Sequence, residues 1–374
     1  MERSIHSISQ YRIFTFAFPF VAVKKDIRKI KSADLQAWLT SIGEKSFRTK
    51  QIEDWLWNKW AKSFEEMGNL SKDLRLKLDA EFEIRNLTIA TQQKSNDGTV
   101  KAAFRLYDSN LVEGVLIPAG ERMTACISSQ VGCSLTCKFC ATGYMDRKRN
   151  LDPSEIYDQA KAIAQIAESE FNLPLTNIVM MGMGEPLLNY ANVLEGINRI
   201  ISPSGMGWSP KRITLSTAGI AKMITKLADD QVKFNLALSL HAANDEKRNQ
   251  IMPINESNTL SALKESLRYF FQKTKNKITF EYIAFQGFND GERDAHELGS
   301  FTRSIGAPIK INIIEYNPIA EADFVNTSVD NLEMFKSILE KKGIIVNVRR
   351  SRGKDIDAAC GQLANKQKNL ITAS

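Results

Sequence analysis

Cysteine is scarce in this chain, five residues in 374. That count excludes a secreted domain stapled by disulfides and points to a reducing compartment, the cytoplasm. Long apolar runs are missing too. The nearest candidate, residues 12–23 (RIFTFAFPFVAV), is too short to span a bilayer and is broken by Pro19. The basic residues Lys24, Lys25, Arg28, Lys29 and Lys31 follow it, with no small-residue cleavage site. We therefore expect neither a membrane span nor a signal peptide, and read residues 1–24 as an extension or a mis-assigned start ahead of the fold. Acidic residues are in deficit, 43 against 50 Lys and Arg, for a formal charge of +7. A basic balance of this kind favours a polyanionic partner.

What cysteine there is gathers in one place. Cys133-Ser134-Leu135-Thr136-Cys137-Lys138-Phe139-Cys140 holds three of the five, with three and then two residues between them. No fourth cysteine or histidine follows nearby to close a zinc site, which normally takes four protein ligands. Four-iron clusters usually take four cysteines, so three suit a cluster whose last iron is left for a substrate or cofactor. The spacing also fits one face of a helix. Gly132 before the run and Ala141-Thr142-Gly143 after it favour a loop.

Along the chain, residues 25–85 read as a small helical module. Ser32 is a candidate cap for a helix carrying Leu35, Trp38, Leu39 and Ile42, ended by Gly43. A second helix places Ile52, Trp55, Leu56 and Trp60 on one face, and a third starts near Ser71. The tryptophans read as core; Lys45, Arg48, Lys50 and Lys59 are candidate phosphate contacts. Residues 86–120 read as a β extension with a hairpin turn at Asn96-Asp97-Gly98. Glu113 lies in its last apolar strand, on the solvent face by period alone. From 121 to 350 strands and helices alternate six times, with a last pair over 328–341 and 343–353 (GIIVNVRRSRG), which implies a parallel sheet. The count suggests an open, partial (β/α)6-type barrel. Function gathers at the C-terminal strand ends of such folds. Here those ends carry the cysteine loop, Gly184-Glu185-Pro186, Ser216-Thr217, Ser239-Leu240-His241 and Asn317-Pro318. Residues 351–374 form a C-terminal segment with Cys360.

The cysteine spacing resembles the cluster motif of the radical S-adenosylmethionine (SAM) superfamily, and GMGEP at 182–186 resembles its second signature. From about Lys45 the chain resembles more closely the RlmN family of ribosomal and transfer RNA adenine C2-methyltransferases. FRTKQIEDWLW, MGNLSKDLR, CSLTCKFCATG, GMGEPLLNY, LSTAG, LSLHA and SRGKDIDAACGQL all have counterparts there. The stretch Tyr144-Met145-Asp146 departs from a glycine-containing turn common in the family. The resemblance implies a radical SAM barrel and a 4Fe-4S cluster on Cys133, Cys137 and Cys140. It implies a SAM pocket lined by Gly184, Glu185, Ser216, Ser239, Leu240, His241 and Asn317. It makes Cys360 the methyl carrier, Cys126 its redox partner and Glu113 the proton acceptor, which outweighs the period-based reading of Glu113.

In that family the electrophilic methyl of SAM does not go directly to the electrophilic carbon 2 of adenine. A cysteine is methylated first, a deoxyadenosyl radical activates that thioether, and a second thiol frees the product, so SAM is used twice. The implied partners are 23S ribosomal RNA and transfer RNA, with a flavodoxin-type electron donor; a monomer is expected. Arg147-Lys148-Arg149 and Arg349-Arg350-Ser351-Arg352-Gly353-Lys354 flank the cluster loop and Cys360, and read as RNA-phosphate contacts. The target adenine has to be unstacked to reach a buried cluster. Two other readings stay open from motifs alone: a Cfr-like enzyme methylating carbon 8 of the same ribosomal adenine, and a non-catalytic RNA-binding protein with a structural metal.

Overall fold

The computed structural model describes residues 24–365; all but Lys24 of the expected N-terminal extension lies outside them. The helical module comprises α1 (Ser32–Ser41), α2 (Phe47–Glu53) and α3 (Lys72–Glu81). Ser71 caps α3 by accepting from the Leu74 amide. Ser32 does not cap α1. The chain leaves extended geometry at Lys31, one residue earlier, so Ser32 falls inside the first turn. Gly43, at φ +83°, ends α1 as expected. The second helix is shorter than its apolar period suggests. It passes into a π turn over Asp54–Asn58, and Trp60 lies beyond it at φ 58°. The cause is a tertiary bond: Trp60 Nε1 donates to Asp158 Oδ1 at 2.7 Å, which draws the indole into the interior. Of the tryptophans read as core, Trp60 is buried, whereas Trp38 and Trp55 are half-buried against the same cluster; Trp57 is buried as well.

One ten-stranded sheet carries the rest, in the order of the chain. The strands are β1 (Thr88–Lys94), β2 (Val100–Arg105), β3 (Leu111–Ala119), β4 (Arg122–Cys126) and β5 (Asn177–Met180). They continue with β6 (Ile213–Thr217), β7 (Asn235–Ser239), β8 (Ile278–Ile283), β9 (Ile309–Ile314) and β10 (Ile345–Arg349). Pairing is antiparallel from β1 to β4 and parallel from β4 to β10. The β extension is thus continuous with the barrel, which is open and partial as expected, and the last pair does extend it. Helices α4 (Pro153–Phe171), α5 (Tyr190–Ile201), α6 (Ala221–Asp229), α8 (Leu260–Thr274), α9 (Glu292–Ser304) and α10 (Val329–Lys341) cover the outer face. A short α7 (Asp245–Ile251), not expected from the sequence, sits between β7 and α8.

Helices cover one face of the sheet, so Ile178, Leu215, Leu236, Phe280 and Ile311 are fully buried. The inner face is more polar: Thr124, Asn177, Thr214, Asn235, Asn312 and Asn347 line a cavity of about 1160 Å³. The tail after β10 folds back over the β extension and is tied to the Asn96-Asp97-Gly98 turn. Asp97 accepts from the Gly353 amide at 2.9 Å, and Asp355 accepts from the Asn96 amide and the Ser95 hydroxyl. Among the described residues no helix is long and apolar enough to cross a membrane.

Candidate active site

β4 ends at Cys126 and delivers the cysteine loop, as parallel strands deliver functional loops at their C-terminal ends. A two-residue pairing of Gln130–Val131 with Arg149–Asn150 closes the base of that loop. Gly132, at φ +74°, has no room for a side chain: a Cβ would meet the Asp146 carbonyl oxygen at 2.2 Å. Tyr144-Met145-Asp146 thus form the wall against which the loop turns. The turn Ala141–Tyr144 is 3-10, not α-helical, and the Cys140 carbonyl accepts from Gly143.

Burial raises all three thiols, that of Cys133 to about 11; neighbouring thiol charge adds to the rise at Cys133 and Cys137. A single metal ion would hold its sulfur ligands about 2.3 Å from one point. Among the described residues no three His, Cys, Asp or Glu side chains gather that tightly. Three soft thiolate donors on one loop are the ligand type that iron–sulfur clusters take.

The strand ends around the loop are knitted together. Gly184 takes φ +92° with Gln130 packed where a side chain would be. Glu185 is buried, and its two carboxylate oxygens accept from the Leu187 amide (3.0 Å) and the Ala218 amide (2.8 Å). Burial nevertheless raises its carboxyl. The Ser216 and Ser239 hydroxyl oxygens lie 3.4 Å apart on neighbouring strands. His241, in a left-handed conformation, accepts at Nδ1 from the Ile283 amide at 3.0 Å. Burial, with the nearby Arg248 charge, lowers it to about 3, so the ring is neutral. It packs edge-on against Phe139 of the cysteine loop, centroids 4.6 Å apart. Asn317 donates to the Cys360 carbonyl at 3.1 Å, while its own Oδ1 is buried without a hydrogen-bond partner. That orphaned acceptor fits a ligand donor at the pocket the resemblance implies.

Cys126, Cys140 and Cys360 line the barrel cavity together. All are free thiols. Burial raises Cys126, and Cys360 is close enough to add to the effect. Cys360 is exposed at the cavity mouth, yet the protein packed around it, and next the Glu281 charge, raise its thiol. Glu113 is not on a solvent face. Strand β3 is covered on both sides, with Phe104 and Ile163 packed where a Gly114 side chain would go. The period fails because no face of β3 meets water. Glu113 Oε2 accepts from the Ala364 and Asn365 amides at 2.9 and 3.0 Å, and Lys101 Nζ lies 3.6 Å from Oε1. It sits under the tail and does not line the cavity.

Two findings depart from the sequence reading. Arg149 is not a free phosphate contact: it makes a paired bond to Glu155 (2.7 and 2.8 Å) and another to Asp108 (2.6 Å). Arg248 was missed. Fully buried on α7, it donates to the carbonyls of Leu240 (3.0 Å), Ala218 (2.6 Å) and Ser239 (3.2 Å), and to Asn255 (2.6 Å). It binds the ends of β6 and β7 into one wall beside Cys137. Burial lowers it to about 10, against the pull of the Cys137 charge, and it keeps its proton. Only the period of α7 could have pointed to it, and in a helix of seven residues that period is too short to read.

Comparison with known proteins agrees with this geometry. Residues 25–84 match the model of the ribosomal RNA large subunit methyltransferase N-terminal domain, and residues 127–298 match that of the radical SAM superfamily. The chain is 64% identical over 344 residues to a probable dual-specificity RNA methyltransferase RlmN of Cytophaga hutchinsonii, covering 92% of this chain and 94% of that one. It is 52% identical to the protein of that name from Christiangramia forsetii, over 92% of this chain and 97% of the other. Among solved structures it is similar to a radical SAM methyltransferase from Sphaerobacter thermophilus, with a TM-score of 0.84 and 38% identity. That match covers 91% of this chain and 99% of the other.

Proposed function

The chain belongs to the RlmN family of radical SAM RNA methyltransferases, and from that premise we propose that it methylates carbon 2 of adenine in 23S ribosomal RNA and in transfer RNA, in the cytoplasm, as a monomer served by a flavodoxin-type electron donor. Cys133, Cys137 and Cys140 would hold a 4Fe-4S cluster, which supplies an electron to SAM, itself the source of the methyl group and of a hydrogen-abstracting radical. Gly184, Glu185, Ser216, Ser239, Leu240, His241 and Asn317 would hold SAM. His241, neutral and fixed by the Ile283 amide, orients a ligand without adding charge.

Cys360 carries the methyl group on its sulfur. Asn317, bonded to the Cys360 carbonyl, holds that carrier against the pocket. Cys126 is the second thiol, kept protonated by burial until it joins Cys360 in a disulfide and frees the product. Glu113 takes the proton from carbon 2, which requires the tail amides of Ala364 and Asn365 to release it.

The observation that carries this reading is the meeting of Cys360, from the far end of the chain, with Cys126 and with Cys140 of the loop that follows it, on one cavity wall. A structural metal protein needs no such pair of extra thiols. The carbon-8 alternative is not favoured, given the matching N-terminal domain and the RlmN-named relatives. Mass spectrometry of nucleosides from both RNA pools, with and without the gene, tests the proposal. Loss of 2-methyladenosine from both is expected; loss of 8-methyladenosine instead would overturn it.

A further inference from the structure

One carboxylate inside the barrel is used by none of these roles. Glu281 lies on β8, 3% exposed, in register with Asn312 on β9, which is in register with Asn347 on β10. The three form a row. Asn347 Nδ2 donates to Asn312 Oδ1 (3.3 Å), and Asn312 Nδ2 donates to Glu281 Oε1 (2.7 Å). The Thr279 hydroxyl donates to the same oxygen (3.3 Å). Oε1 is therefore satisfied and the carboxylate is fixed in orientation. Oε2 is buried with no hydrogen-bond partner, and Arg349 Nη1 stands 4.0 Å from it. Leaving a buried carboxylate oxygen without a donor is costly, so such groups almost always find one. Arg349 is too far away to hydrogen-bond to it, so a donor that enters the cavity would complete this oxygen.

Glu281, Arg349, Cys126 and Cys360 line that cavity together, whereas none of the residues assigned to SAM does. On the reading above two molecules meet Cys360, SAM and the unstacked RNA base; because the residues assigned to SAM lie off this wall, the group facing Glu281 is assigned to the base. A fixed acceptor beside a guanidinium donor matches an amino group next to a ring nitrogen, which is the pattern on adenine. Guanine and hypoxanthine present an oxygen acceptor at the same place.

We propose that Glu281 and Arg349 read the target base: Glu281 Oε2 accepts a hydrogen from the 6-amino group of adenine, and Arg349 donates to an adjacent ring nitrogen. The Asn347–Asn312 row holds Glu281 in place. The inference rests on the adenine-methylation reading and adds to it the residues that select the base.

RNA hairpin substrates carrying adenosine, purine riboside or inosine at the target position test it. All three bases keep a hydrogen on carbon 2, so each can be methylated. With the intact holoenzyme, purine riboside should lose roughly ten- to a hundredfold in kcat/KM, the value of one charge-assisted hydrogen bond, and inosine should lose more. In Glu281→Gln, Asn312 and Thr279 keep the amide oxygen, so the amide NH2 takes the place of Oε2 and offers a donor. Adenosine should then fall and inosine rise, shrinking or inverting their ratio; binding of the three hairpins by fluorescence anisotropy should follow the same order. Equal use of the three RNAs by the wild type overturns the proposal, whether or not the variant folds. So does a folded Glu281→Gln enzyme with the wild-type ratio. A wild type that methylates none of them at carbon 2 would overturn the adenine reading itself, and this inference with it.

Discussion

At the scale of single residues, two side chains do what their type alone does not announce. Arg248 keeps its charge in full burial because it spends its donors on three carbonyls and an amide oxygen. Arg248→Met would strand those acceptors, at about 1–3 kcal/mol each, and remove the positive charge beside Cys137. We expect a lower Tm and a more negative cluster reduction potential, since the reduced cluster carries more negative charge; anaerobic melting and redox titration measure both. An unchanged potential would mean that the guanidinium acts on the wall alone. Cys126 and Cys360 make the second case. Cys360→Ala should yield no modified RNA, having nothing to carry the methyl group. Cys126→Ala should start the reaction and stall with RNA attached through Cys360, because no second thiol releases it. Denaturing gels and peptide mass spectrometry separate the two outcomes, and normal turnover of Cys126→Ala would reverse the assignment. The chemistry of these thiols was legible from the cysteine count and the resemblance. Arg248 was not, because the burial that gives it a role is set by loops from β6 and β7.

At the scale of elements, the strand–helix alternation was readable because the parallel strands are rich in apolar residues and the longer helices are periodic. The failures fall where tertiary contacts override local pattern. Trp60 leaves its helix for Asp158. Glu113 breaks the alternation rule because β3 has the rest of the protein on both sides. The basic run after the cluster loop divides for the same reason. Arg149, about one-fifth exposed, joins that loop to α4 through Glu155 and to the β2–β3 turn through Asp108. Among the described residues Arg147 and Lys148 make no such pair of ion bonds. Charge removal at those two should weaken RNA binding and flatten its salt dependence, by about one unit of log–log slope for each phosphate no longer neutralised. Arg149→Ala should instead lower Tm, since it strands a Glu155 carboxylate only 4% exposed, and leave the salt slope unchanged. Thermal melting together with binding isotherms at several salt concentrations distinguishes the two kinds of basic residue.

At the scale of the whole molecule, the helical module, the barrel and the tail are coupled by buried polar contacts. Sequence alone offered no access to these, because each joins residues far apart in the chain. The tail is held by Asp97 and Glu113 of neighbouring segments and by its own Asp355 on the Asn96 amide, which sets Cys360 over the barrel mouth. The module is held by Asp158 on α4. That carboxylate accepts from Arg28 at 2.8 and 2.9 Å and from Trp60 at 2.7 Å, with both charged side chains at most 1% exposed. Burial and Asp158 act in opposite directions on Arg28; the acidic neighbours win and it stays charged. Removing one member of a buried ion pair leaves the other uncompensated, at about 3–5 kcal/mol. Asp158→Ala should therefore loosen the module from the barrel and leave the cluster loop in place, because Glu155 and Gln159 of α4 still tie that loop through Arg149 and Ser128. Limited proteolysis should cut the variant near residues 84–88, between the module and β1, while cluster content stays at the wild-type level. If the module carries part of the RNA contact, hairpin affinity should fall in the same variant. A variant that resists cleavage and melts like the wild type would show that the apolar contacts around Trp57 and Leu56 hold the module without the ion pair.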